Sequence, residues 1–71
     1  MVNYALLNDK VKESGLKQSY IADQMGVSRS YLSSKLNNRR KIWLEDAKAL
    51  QKILNLSRKE VDDIFFADNV E

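Results

Sequence analysis

The sequence predicts an all-α fold, a compact bundle of five short helices. The 71-residue chain has no proline and only two glycines, Gly15 and Gly26, so it is poor in the residues that form turns. Its apolar residues recur at three- and four-residue spacings, and helix-capping residues precede several of these runs. A chain of this length forms one domain, which we place at residues 1–67, with a frayed tail at 68–71.

The first helix is predicted over residues 3–14. Tyr4, Leu7 and Val11 lie one and two turns apart and share one face. Asn3 is a good N-cap, and Gly15 is suited to the left-handed position that ends a helix. The chain therefore begins with a helix of about three turns.

The second and third helices are short and closely joined. The second is predicted over residues 17–25 and ends at Gly26, and the third runs from Arg29 to about Asn37 with Ser28 as its N-cap. The apolar side of the second helix comprises Tyr20, Ile21, Ala22 and Met25. Only the turn from Gly26 to Ser28 separates the two helices.

The fourth and fifth helices follow a polar, basic stretch at residues 37–41. The predicted buried face of the fourth helix comprises Leu44, Ala47, Leu50, Ile53 and Leu54. Asn55 ends that helix, and Ser57 with Glu60 forms the capping box of the fifth. The apolar stripe of the fifth helix comprises Val61, Ile64 and Phe65.

The net charge of +2 results from a basic body and an acidic end. Residues 1–56 hold ten Lys/Arg and five Asp/Glu, whereas residues 57–71 hold two and five. No acidic residue occurs between Asp23 and Glu45, a segment that carries five basic residues. Such a segment indicates a polyanionic partner, either nucleic acid or an anionic membrane surface. On charge alone, a solvated helix face explains it equally well.

The composition excludes much chemistry. The chain has no cysteine or histidine, so disulfides, thiolate zinc sites and the commonest general base are absent. The acidic pairs Glu45/Asp46 and Asp62/Asp63 are adjacent, and adjacent helix residues diverge by about 100°. We therefore expect no enzyme activity, no cofactor and no metal. The apolar runs are too short for a signal peptide or a membrane span, so we expect a cytoplasmic protein without a membrane partner.

Residues 18–37 read QSYIADQMGVSRSYLSSKLN. This segment resembles the helix-turn-helix of the lambda-repressor/Cro-like (XRE-type) regulators of phages and bacteria. The matching positions are Gln18, Ala22 and Gly26, at the first, fifth and ninth places, together with the apolar Ile21, Met25, Val27 and Leu32. Ala22 allows the helices to cross closely, and Gly26 tolerates the positive φ of the turn. The resemblance implies a lambda-repressor-like fold and a double-stranded DNA-binding transcription regulator, similar to the small phage Cro-like repressors.

The resemblance makes the third helix the recognition helix of the major groove. The candidate base-reading residues are Arg29, Ser30, Ser33, Ser34 and Asn37. The candidate phosphate contacts are Gln18, Tyr31, Asn38, Arg39, Arg40 and Lys41. Arg29 is the best candidate for specificity, because a guanidinium can bond guanine O6 and N7 together. A solvated loop remains the alternative for residues 39–41, and the Tyr31 ring can pack while its hydroxyl reaches a phosphate.

Four residues depart from the family pattern. Lys17 replaces a capping threonine and removes one N-cap bond. Lys35 occupies a position that is often apolar, and we place it at the periphery of the interface. Asn38 replaces a common glycine and can adopt the same left-handed conformation. Trp43 can be a core lid, a phosphate contact or part of a dimer surface, and we favour the core.

One recognition helix reads only a few base pairs, so useful specificity implies a homodimer on a palindromic operator. Phe65 and Phe66 are candidate dimer contacts because they lie in the acidic end, away from DNA. We expect no small-molecule ligand, since 71 residues leave no room for a sensor domain. The alternative function is a helix-turn-helix protein-interaction module, or an antirepressor-type regulator without its own DNA site.

Overall fold

The computed structural model describes residues 2–66, which form five α helices in the predicted order. They are α1 (Tyr4–Ser14), α2 (Gln18–Met25), α3 (Arg29–Leu36), α4 (Leu44–Leu54) and α5 (Arg58–Phe65). The all-α prediction is confirmed. The tail that we predicted to fray, 68–71, lies outside the described residues. Among those described, no helix has the length and apolar character needed to cross a membrane.

The helix ends follow the capping chemistry of the sequence. Asn3 accepts the Leu6 N–H at the start of α1, and Gly15 ends that helix with φ 72°. The Ser57 hydroxyl accepts the Glu60 N–H, and the Glu60 carboxylate accepts the Ser57 N–H at 2.8 Å, which completes the predicted capping box. These local bonds explain why the helix bounds could be predicted to within about one residue.

All five helices contribute to one core. The fully buried side chains of greatest volume are Leu7, Ile21, Leu32, Leu36, Leu50 and Ile64. Leu32 and Leu36 belong to α3, and each of the other four belongs to a different helix. Because every helix supplies at least one of them, the exposed face of each helix is held in a fixed position by the same packed centre.

The turn between α2 and α3 has the features that the sequence predicts. Ala22 is buried where α2 faces α3, and Gly26 has φ 73°. The Gly26 N–H donates to the Asp23 carbonyl at 3.1 Å, and the Val27 N–H donates to the Ala22 carbonyl at 3.0 Å. A Cβ at Gly26 would meet no atom within 4 Å, so the positive φ is what favours glycine here.

Two long-range hydrogen bonds join the ends of the bundle. The Asn8 amide donates to the Tyr4 carbonyl of its own helix and to the Leu36 carbonyl at the end of α3, at 2.8 and 3.0 Å. The Asn3 N–H donates to the Ile64 carbonyl at 2.7 Å. The bond from the Asn8 amide to the Leu36 carbonyl fixes the C-terminal end of α3 against α1.

Three predicted core residues lie at the surface instead. Tyr20 is 49% exposed, Trp43 57% and Leu44 62%, so their placement in the core was wrong. Tyr20 is adjacent to the fully buried Ile21, and one residue along a helix rotates a side chain by about 100°. Trp43 and Leu44 form the start of α4, where the helix extends past the core.

Candidate nucleic-acid interface

The structure brings the predicted base-reading residues together on one face of α3. Arg29, Ser30, Ser33 and Ser34 line one open groove, and the Asn37 amide donates to the Ser33 hydroxyl at 3.2 Å. Four of these five side chains are short. A face of this kind lets the helix backbone approach another surface closely, with the Arg29 guanidinium as its one long cationic donor.

The hydroxyls on this face differ in what they can offer a ligand. Ser34 donates its proton to the Tyr31 carbonyl at 2.7 Å, which leaves the Ser34 oxygen as an acceptor. Ser33 accepts the Asn37 amide and keeps its own proton for donation. The face therefore presents a donor and an acceptor side by side, which is the kind of pattern that distinguishes base edges in the major groove.

Two arginines from the segment after α3 lie beside this face. Arg39 lines the groove formed with Arg29. Arg40 lines a second open groove with Ser28, Ser30, Tyr31 and Ser34. Both grooves share Ser30 and Ser34, so each arginine lies beside these two serines.

We call residues 37–43 the basic loop. Its start is tied to α3, because the N–H groups of Arg39 and Arg40 both donate to the Ser34 carbonyl, at 2.9 and 3.1 Å. Asn38 has φ 59°, the left-handed conformation that we predicted it would tolerate. The Arg39, Arg40 and Lys41 side chains are exposed. The loop thus presents three cations beside the polar face of α3.

Lys35 is buried, so its placement at the periphery was wrong. Its side chain is 3% exposed and its ammonium lies 3.0 Å from Asp46 Oδ2. The ammonium also donates to the Lys41 carbonyl and lies 4.8 Å from the centre of the Tyr31 ring. A signal existed in the sequence: Lys35 follows the buried Leu32 by three residues, a spacing that points it inward.

Asp46, the partner of Lys35, also contacts Trp43 and Tyr31. Its carboxylate accepts the Trp43 N–H at 2.8 Å, and the Tyr31 hydroxyl lies 3.4 Å from its second oxygen. Tyr31 has a single phenolic proton and directs it at Asp46. A bond from Tyr31 to a phosphate, which remains a prediction, therefore requires that this internal contact open.

Electrostatics keep the buried lysine charged. Burial lowers the pKa of Lys35, but the hydrogen bonds to Asp46 and Tyr31 raise it more, so the pKa stands above its ordinary value of 10.5. Lys35 thereby neutralises Asp46, the second acidic residue after the acid-free segment. Gln18, the first residue of α2, is half-buried, and its phosphate contact remains a prediction.

An apolar patch lies where the start of α4 meets the end of α5. Trp43, Leu44 and Phe66 are its exposed members, and Phe66 is 43% exposed. Together with Val2, Ile42, Ala47 and Phe65 they line one shallow groove. Phe65 itself is only 7% exposed because it packs into the core of its own chain. Phe65 and Phe66 both line the groove, so the dimer contacts that we predicted for them remain predictions.

The fold and this face define a helix-turn-helix protein. A helix-turn-helix family model matches residues 7–61, most of the chain, and the chain belongs to that XRE-type family. The chain is also 45% identical over 49 residues to the ImmF control region 10 kDa protein of Bacillus phage phi105. That match covers 69% of this chain and 51% of the relative, so it spans about half of that protein. No solved structure matches the chain. The family and the phage relative support a DNA-binding regulator.

Proposed function

We propose that this chain is a sequence-specific regulator of transcription that binds double-stranded DNA. It acts as a Cro-like repressor in the bacterial cytoplasm, by occupying a palindromic operator and excluding RNA polymerase. The observation that carries the proposal is the polar face of α3, on which Arg29, Ser30, Ser33 and Ser34 share one open groove with Arg39 of the basic loop. A shallow polar helix with cations beside it complements a groove floor that is bordered by phosphates.

The dimensions favour the major groove. An α helix fits its width of about 12 Å, and the small side chains of Ser30, Ser33 and Ser34 add little to the helix diameter. Arg29 begins α3, and helices of this class enter the groove with their N-terminal end. Arg29 is therefore placed to bond a guanine edge, while the serines and Asn37 select among neighbouring bases.

The cations of the basic loop suit the phosphates that border the groove. Arg39 and Arg40 each share an open groove with Ser30 and Ser34 of α3, so both cations lie beside the face that reads the bases in this proposal. Lys41 follows them at the surface. Such contacts position the protein without selecting a sequence. In this proposal α3 therefore reads the bases, and the basic loop contacts the phosphates.

A second copy of the chain covers the apolar patch in this proposal. A two-fold interface places each surface against itself, so the exposed Trp43, Leu44 and Phe66 of one copy pack against the same residues of the other.

Salt dependence of duplex binding tests the proposal. Each phosphate that a cation neutralises contributes about −0.9 to the slope of log affinity against log salt concentration. Three loop cations from each of two copies predict a slope of about −5. Fluorescence anisotropy with labelled duplex, measured from low to moderate salt, gives the slope. If no duplex is retained at low salt, the proposal is wrong and a protein-interaction module or an antirepressor-type regulator remains.

A matched pair of variants tests the dimer surface. Phe66→Ser removes an exposed ring from the patch, and Tyr20→Ser removes a ring of similar exposure from α2. We expect two copies per duplex for the wild-type chain and for Tyr20→Ser, and one copy for Phe66→Ser. The ratio can be measured by analytical ultracentrifugation of the complex. Two copies bound by Phe66→Ser with undiminished affinity would exclude the patch as the dimer surface.

A further inference from the structure

We infer that Lys35 is a positioning residue that holds the basic loop in a fixed relation to the recognition helix. This inference rests on the proposed DNA binding. Lys35 is buried and cannot itself reach a phosphate, yet its ammonium contacts residues on both sides of the loop's end. Its effect on a ligand is therefore transmitted through the cations that the loop displays.

The loop is held at two points. At its start, the Ser34 carbonyl accepts the N–H groups of Arg39 and Arg40. At its far side, the Lys41 carbonyl accepts the ammonium of Lys35. Since Ser34 and Lys35 are neighbours in α3, both points belong to the same turn of the recognition helix. The three exposed cations between them cannot shift along α3 unless one of these bonds breaks.

The same ammonium fixes the helix that follows the loop. Lys35 pairs with Asp46, and Asp46 accepts the N–H of Trp43, the residue before α4. The Lys35 side chain thus joins α3, the loop and the first turn of α4 at one point. The Lys41 side chain, 5.1 Å above the Trp43 ring, is oriented from the same place.

A cation at this position does what an apolar residue could not. A leucine would fill the space but would leave the Lys41 carbonyl without its donor and the Asp46 carboxylate without its counter-ion. One of the two points that hold the loop would then be lost, and the cost of ordering the loop on contact with a ligand would reduce affinity. Lys35 removes this cost in advance by building the loop conformation into the folded chain.

Binding by a folded double variant tests the inference. The test variant, Lys35→Met with Asp46→Asn, removes both charges of the buried pair. The control variant, Lys59→Met with Asp63→Asn, removes a solvent-exposed pair on α5, whose Nζ and Oδ2 atoms lie 2.9 Å apart. Each is titrated with a duplex enriched from a random pool and with a scrambled duplex of the same length, after circular dichroism has shown that it is folded. We expect the first variant to bind both duplexes about tenfold more weakly. Its salt slope should be shallower by about 1 to 2.

The ratio of the two affinities separates positioning from damage to α3. We expect that ratio to be unchanged in the first variant, because the base-reading face is intact, and all values to be unchanged in the α5 control. Wild-type affinity with wild-type salt slope in the first variant would overturn the inference. Loss of the preference for the enriched duplex would overturn it too, since that result means that α3 has moved.

A measurement on the wild-type chain decides the matter if the variant does not fold. Backbone NMR relaxation of the DNA-free protein reports whether residues 38–43 are ordered before any ligand binds. We expect order parameters of about 0.85, as in the helices, and values below about 0.6 would overturn the inference. A wild-type chain that binds neither duplex would refute the proposed function, whereas the relaxation data would still test the loop.

Discussion

Replacing Asp46 with asparagine leaves the buried ammonium of Lys35 without its counter-ion. The Lys35 side chain is 3% exposed, so water cannot take the place of the carboxylate. Asparagine is similar in size and can still accept the Trp43 N–H that Asp46 accepts at 2.8 Å. The substitution therefore removes the charge while it keeps the start of α4.

The expected cost is large for a chain of this size. Removing one partner of a buried ion pair costs about 3–5 kcal/mol. Lys35 keeps the Lys41 carbonyl and the Tyr31 ring, 4.8 Å away, so the lower end, about 3 kcal/mol, applies here. A 71-residue domain has a total stability of about 4–11 kcal/mol. The variant should therefore melt about 12–24 °C below the wild-type chain.

A double-mutant cycle measures the interaction. Lys35→Met, Asp46→Asn and the double variant are unfolded in urea, and the coupling free energy is calculated from the four stabilities. We expect the double variant to be more stable than Asp46→Asn alone, because it contains no unpaired buried charge. Lys59→Met, which breaks the exposed pair with Asp63, should unfold at the wild-type midpoint. A coupling free energy near zero would refute a buried, energetically important pair.

Four further substitutions separate base reading, phosphate contact, acid stability and backbone strain. Arg29→Ala should reduce the free energy of binding to the enriched duplex by about 1–3 kcal/mol and relax the preference at one base pair. Arg40→Ala should weaken binding to all duplexes alike and make the salt slope about 1 shallower. Competition titrations compare the two variants, and the opposite pattern would reverse their roles. The Lys10 ammonium and then the Ser57 N–H lower the pKa of Glu60 below its ordinary 4.5, so Glu60 stabilises the fold above that pH and loses this effect as the pH falls through the lowered value. Thermal melts of Glu60→Gln should therefore differ from wild type near neutral pH and converge with it in acid, and a constant difference would contradict this. Gly26→Ala should cost about 1 kcal/mol in urea unfolding without any clash, and no loss would mean that the positive φ is not strained.

The helices were predictable because their signals are local. Asn3, Gly15, Gly26 and the capping box at Ser57 each act within a few residues of the chain, so the sequence contains the whole interaction. The grouping of Arg29, Ser30, Ser33 and Ser34 on one face of α3 was predictable for a similar reason. Its members recur at helical spacing, and a helix of two turns has one exposed side.

The errors concern contacts between distant parts of the chain. Lys35 was placed outside because a lysine is almost never buried without a partner, and that partner, Asp46, comes from another helix. The exposure of Trp43 and Leu44 depends on where α4 leaves the core, and the position of that point follows from the packing of all five helices. The local pattern shows the inward spacing of Lys35 from Leu32, but it identifies neither the partner Asp46 nor the point where α4 leaves the core.

Selection of bound duplexes from a random pool tests the central claim, sequence-specific reading by α3, most directly. The wild-type chain is incubated with the pool at low salt, bound duplexes are recovered and sequenced over several rounds, and the footprint on the enriched duplex is measured. We predict enrichment of two inverted half-sites with centres about 10 base pairs apart, the spacing that two recognition helices on one face of DNA require. A bound pool whose sequences remain random after repeated rounds would contradict the claim.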